Sequence, residues 1–144
     1  MKKLVSFVLI CVLLFTLAGC GKNENDRSPE NIDVDLTALS STMVYSEVYN
    51  MTNNPNDYLG KTVKMKGNFA VYQDETTDNY YFACLIADAA SCCSQGIEFV
   101  WAGDHSYPED YPQLNTQITV VGVFGTYEEN GYTYCQLTDA DVTI

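Results

Sequence analysis

Cys84, Cys92, Cys93 and Cys135 are the side chains of this sequence best equipped for chemistry, and their spacing leaves two chemistries open. Three or four thiolates converging on Zn²⁺ would make a tetrahedral, sulfur-rich structural site, and metal binding would add folding free energy to a small domain. Alternatively, Cys84 or Cys135 pairs with one of the two adjacent cysteines, a bridge contributing about 2–4 kcal/mol. Cys92 and Cys93 are poor partners for each other, because the ring they would close is strained. A thiol oxidoreductase using Cys92 or Cys93 is a weaker third option. No C-x-x-C occurs, and no Lys or Arg lies near these thiols to lower a thiol pKa.

A second set of reactive or binding groups is acidic and aromatic. Asp74, Glu75 and Asp78 occupy one polar turn, Glu128 and Glu129 another, with Tyr72, Tyr80, Tyr81, Tyr127, Tyr132 and Tyr134 close by in sequence. An acidic, tyrosine-lined cleft would suit a cationic solute, a basic peptide or a sugar. The same residues also fit solvated turns and strand positions for which tyrosine has high propensity. His105 is the single histidine, in a Gly-Asp-His-Ser-Tyr-Pro loop. It would need convergent partners to act as a metal ligand or general base, so a surface loop position is expected for it. Trp101 reads as core. Nucleophile-elbow, His-Glu-x-x-His, P-loop and EF-hand patterns are all missing from the sequence, so a non-catalytic role is expected.

Charge narrows the partners. Seven Lys and Arg stand against nineteen Asp and Glu, for a formal net charge of −12. Residues 67–144 contain no Lys or Arg at all, against twelve Asp and Glu. Nucleic-acid affinity comes largely from neutralising phosphates with basic side chains, so no nucleic-acid partner is expected. Docking of the domain on anionic lipid headgroups is disfavoured for the same reason. Such acidity serves solubility, or it attracts cations and basic partners.

The N-terminus supplies an address. Lys2-Lys3 and the apolar run over 4–15 form the charged and hydrophobic regions of an export signal. The run is shorter than the roughly 20 residues a membrane span needs, and a polar stretch follows at once. Leu17-Ala18-Gly19-Cys20 fits a bacterial lipobox, in which Cys20 becomes the mature N-terminus and carries diacylglycerol and palmitate chains. The expected organisation is a signal peptide over 1–19, lipidated Cys20 and a flexible tether over 20–38, and one domain over 39–144. Outside the cytoplasm, an even number of cysteines usually points to disulfides.

The elements that must position these residues follow from periodicity. Ser40-Ser41-Thr42 offers N-caps for a helix over 43–51, with Val44, Val48 and Met51 on one face, and Pro55 stops it. The period then changes to two. Strands are expected over 63–71, with Gly67 marking a bulge or sharp coil, and then over 80–87, 97–102, 118–127 and 132–137. Asn130-Gly131 is the dipeptide favoured in a type I′ hairpin turn. Five strands, a glycine-bent first strand and a long connection between the third and fourth predict an all-β fold, a small five-stranded OB-like barrel with one short N-terminal helix. An open β-sandwich is the alternative.

The stretch Pro55-Asn56-Asp57-Tyr58-Leu59-Gly60-Lys61-Thr62-Val63-Lys64-Met65-Lys66-Gly67 resembles the P-x-x-Y-x-G-K-x-V-x-x-x-G lead into the first strand of small OB-fold lipoproteins of Gram-positive bacteria. Cys92-Cys93 and Gly96-Ile97-Glu98-Phe99-Val100 are similar to the same group. More distantly, a Cys-Cys ahead of the third strand resembles the OB-like module of permease-associated subunits. That group places Cys-Cys directly before Ala-Asp, whereas here Ala87-Asp88 precedes it. The resemblance covers 55–139 and implies fold and location, with no assigned activity.

These readings converge on a membrane-anchored, extracytoplasmic lipoprotein acting as a binding or accessory module. One version handles zinc in support of a transporter. The other is a disulfide-stabilised adaptor for a cationic or basic partner in the cell envelope.

Overall fold

The computed structural model describes residues 31–87 and 93–144. The export signal, Cys20, most of the tether and Cys92 lie outside the described residues. In chain order the elements are β1 (Val34–Asp35), a 3-10 turn (Leu36–Ala38), α1 (Ser41–Asn53), a second 3-10 turn (Pro55–Asp57), β2 (Thr62–Gln73), β3 (Tyr80–Ala87), β4 (Ser94–Trp101), β5 (Gln117–Glu129) and β6 (Tyr132–Thr143). The strands form one mixed sheet in the order β1-β2-β3-β4-β6-β5, and β2 also pairs with β5. Among the described residues the fold is thus mostly β with one α-helix. No helix among them is long and apolar enough to cross a membrane.

β2 serves two partners, as its alternating sequence and its length allow. Thr62 to Asn68 pairs antiparallel with β5, and Asn68 to Gln73 pairs antiparallel with β3. Val63, Met65 and Phe69 project from it into the core. The register runs unbroken through Gly67, where the sequence suggested a bulge. Glycine is needed there for close approach: a Cβ would stand 2.3 Å from the Leu85 carbonyl oxygen.

The β5–β6 hairpin is the longest pairing. Asn130 (φ 53°) and Gly131 (φ 81°) take the left-handed conformation that a type I′ turn requires. β6 runs on to Thr143, past the expected end at 137. A register shift there leaves an extra residue on β6, with Asp139 at φ 49°. This bulge falls within polar Thr138-Asp139-Ala140-Asp141, which hid the strand from an alternation test. β4 joins β6 in parallel, through Glu98↔Gln136 and Phe99↔Leu137.

α1 begins after Ser40 and ends before Pro55, two residues longer at each end than expected. Val48 and Met51 are fully buried on the core, as their helical spacing predicts. Tyr58 ties the following turn back to the helix, its hydroxyl donating to Glu47 Oε1 and accepting from Asn50 Nδ2, each at 2.6 Å. Part of the expected tether over 20–38 belongs to the fold. Val34 pairs in parallel with Val63, Leu36 is buried, and the Thr62 amide donates to the Asp33 carboxylate at 2.8 Å. A two-residue strand is too short to show a period, so composition alone placed it in the tether.

Candidate functional site

β3 and β4 are hydrogen-bonded only from Ala83↔Glu98 to Ala87↔Ser94. Beyond that point they part. Residues 80–82 follow β2, while Phe99 and Trp101 follow β6. The connection from β4 to β5 folds aromatic rings toward the opening. Tyr111 stacks on Phe82 at a centroid distance of 4.0 Å and meets Trp101 edge-on at 5.3 Å. Tyr107 packs against Tyr80 at 4.9 Å. His105 lies flat on Trp101 at 4.1 Å, with its Nε2 3.0 Å from the Ala102 carbonyl oxygen. What remains open is a cleft of about 480 Å³, whose lining includes Tyr80, Tyr81, Glu98, Trp101, Tyr127 and Gln136.

Glu98 is the charged centre of this cleft. It stands in one row with Gln136 on β6 and Gly125 on β5, and Gly125 leaves the end of that row without a side chain. The Tyr127 hydroxyl donates to Glu98 Oε2 at 2.7 Å. At the rim, the Tyr81 hydroxyl donates to Glu129 Oε1 at 2.7 Å. Desolvation holds the Glu98 carboxyl above the usual carboxylate range, the Tyr127 hydrogen bond opposes this, and the negative charge of Glu129 adds to it. Tyr127 is raised as well, first by burial and then by its bond to Glu98. Every strand and loop that lines the cleft lies within 67–144, so none of them carries a Lys or Arg to neutralise Glu98. The cleft can therefore hold a positive charge against aromatic walls, where cation–π attraction adds to the ion pair.

The acidic turns divide between structure and site. Asp74 builds its own turn, its carboxylate accepting from the Thr76 amide at 2.8 Å, and that bond lowers its pKa. Asp78 adopts φ 63° and accepts from Gln73 Nε2, while Glu75 is exposed. Glu128 accepts from Thr133 Oγ1 across the hairpin. Tyr132 is 68% exposed at the first position of β6. Of the acidic and tyrosine residues singled out from sequence, Tyr80, Tyr81, Tyr127 and Glu129 gather at the cleft.

The cysteines are spread out. Cys84 is fully buried in the core, where desolvation pushes its thiol up to about 12. Cys135 is half-buried, and burial together with the Glu98 charge raises its pKa. Both carry free thiols. Cys84 pairs with Ile97, and continuing the β4–β6 register puts Ile97 beside Cys135. Two strand spacings thus separate the cysteines, about 8–10 Å, beyond the reach of a disulfide. Cys93 is exposed just before β4. Among the described residues, no three His, Cys, Asp or Glu side chains converge to hold a metal ion.

Sequence reasoning missed Glu98, Tyr111 and Gln136 as cleft residues; His105 is exposed and Trp101 packs partly buried against the core, as expected, and both also line the cleft. The available signal was Glu98 itself, a lone acid inside Ile97-Glu98-Phe99-Val100-Trp101. Its neighbours come from β6 and the 102–116 connection, which only the parallel β4–β6 pairing brings alongside. No protein-family model, curated protein or solved structure matches the chain.

Proposed function

We propose that the chain is a lipid-anchored, extracytoplasmic binding module on an OB-like barrel, whose β3–β4 cleft accepts a cationic group from a solute or a basic envelope partner. The observation carrying this reading is Glu98: a desolvated carboxylate in an aromatic cleft, built by elements without one basic residue. Glu98 is half-buried and has no cationic partner among the described residues, and a partly desolvated charge costs free energy, so a ligand that brings a positive charge relieves that cost.

The barrel part of the proposal rests on cyclic pairing. Going from β2 through β3, β4, β6 and β5 returns to β2, and such closure removes exposed edges. In OB folds the face of the second and third strands, with the loops after the first and fourth, binds ligands. Here those are β3, β4, the 74–79 turn and the 130–131 turn; β3, β4 and Asn79 of the first turn line the cleft, with Tyr127 from the strand leading to the second. The lipidated anchor at Cys20 rests on the lipobox, and a transporter or another envelope protein is the kind of partner such an accessory module would serve.

Calorimetric titration of the full-length protein with oligolysine and with oligoglutamate tests the reading. Oligolysine is expected to bind in a salt-sensitive way, oligoglutamate not at all. Equal binding of both, or of neither, would contradict it.

A further inference from the structure

We infer that the cleft selects cations that carry N–H donors, the primary ammonium or guanidinium group on an alkyl stem, over quaternary ammonium and metal ions. This rests on the cationic-ligand reading above and concerns the hydrogen atoms of the site. Both tyrosine hydroxyls are committed as donors, Tyr127 to Glu98 Oε2 and Tyr81 to Glu129 Oε1. An ionised carboxylate only accepts, and a hydroxyl that has spent its proton retains only lone pairs. The remaining capacity of these four groups is therefore all acceptor: the second oxygen of each carboxylate and the lone pairs of each hydroxyl. Asn79 donates to the Tyr81 hydroxyl, and the other donors lining the cleft are the Gln136 amide beside Glu98, the Trp101 indole and the Tyr80 and Tyr111 hydroxyls, too few to meet the free lone pairs of both carboxylates and both hydroxyls.

A ligand entering this site must supply donors, or it strands acceptors away from water. A primary ammonium brings three N–H groups and a guanidinium five. A quaternary ammonium brings none and gains only charge and cation–π attraction. A hard metal ion needs six or more oxygen ligands in the case of Ca²⁺, whereas Tyr80, Trp101 and Tyr111 offer the cleft mainly ring surface. Those rings instead suit the methylene stem of a lysine-like or arginine-like group, which buries its carbons while its head stays polar.

Trp101 is the only tryptophan in the chain and lines the cleft, so its fluorescence reports occupancy directly. The full-length protein is titrated with butylammonium, tetramethylammonium and a lysine-containing tripeptide blocked at both termini, so that its side-chain ammonium is its only charge. Butylammonium is expected to give a saturable change, with tetramethylammonium at least about tenfold weaker, the scale of one stranded acceptor. Glu98→Gln should weaken butylammonium by at least about tenfold, because its amide puts N–H donors where the site had acceptors. A peptide binding more tightly than butylammonium identifies a protein side chain as the source of the group; equal binding identifies a free amine. Either supports the inference. Tetramethylammonium binding as tightly as butylammonium would overturn the donor argument and leave the cationic reading standing. No response to either ion would overturn both. Should Glu98→Gln fail to fold, the ratio of the two ions on the unsubstituted protein still decides.

Discussion

The Cys84 thiol fills the space that Gly67 leaves empty: a Cβ added to Gly67 would lie 2.9 Å from Cys84 Sγ. The two residues sit on adjacent strands where β2 passes from β5 to β3. A side chain on Gly67 would collide there with both backbone and sulfur. This complementarity makes Cys84 a core packing atom, as free cysteines often are.

Gly67→Ala should therefore destabilise the domain by at least about 1–3 kcal/mol, the usual cost of overpacking. Urea unfolding midpoints measure this. Adding Cys84→Ala should recover only part of the loss, since the 2.3 Å approach to the Leu85 carbonyl oxygen remains. Full recovery would show that the backbone contact is unimportant.

Cys84 should resist alkylation in the folded state. Its thiol is buried and its pKa pushed up to about 12, so almost no thiolate is present near neutrality. Cys84→Ser should cost about 1–3 kcal/mol, because the hydroxyl would sit in the core with its hydrogen-bonding needs unmet. Rapid labelling of Cys84 by a thiol reagent in native buffer would refute its assignment to the core.

Acidification should abolish cation binding as Glu98 takes up a proton, and this loss should begin above the ordinary carboxylate range. Stability moves the other way. With its folded pKa raised above the unfolded value, Glu98 holds a proton more tightly in the native state. Its contribution to stability thus falls as pH rises through the window between those values, and remains unfavourable above it. Glu98→Gln should accordingly melt higher than the parent at neutral pH, with the difference vanishing in acid. A difference that grows in acid would mean that the carboxylate is stabilised in place.

Cys20→Ser should block lipid attachment and shift the protein out of the membrane fraction, or leave its signal uncleaved. Fractionation of cells expressing the variant, with intact mass of the product, is the check. Unchanged processing and membrane retention would remove the lipobox reading of Leu17-Ala18-Gly19-Cys20.

How far the sequence alone could go depends on the range of each interaction. The five long strands, α1 and the Asn130-Gly131 turn are set by local periodicity and by backbone preference, and each falls close to its expected place. β1 and the end of β6 escaped, one because two residues have no period, the other because a bulge at Asp139 breaks it. A smaller part of the cleft was legible in the same local way, through Tyr80, Tyr81, Tyr127 and Glu129 near two turns. The rest was not. Glu98 meets Tyr127 only because β6 lies parallel to β4 and carries β5 beyond it. The aromatic filling depends on how Tyr107 and Tyr111 fold back from an irregular connection.

Amide chemical-shift mapping of the full-length protein during titration with a lysine-containing peptide tests the central claim most directly. The cleft account predicts saturable shifts clustered at Tyr81, Glu98, Trp101 and Gln136, abolished by Glu98→Gln. Shifts confined elsewhere, such as the surface of α1 around exposed Met43 and Tyr49, or shifts that survive Glu98→Gln unchanged, would contradict it.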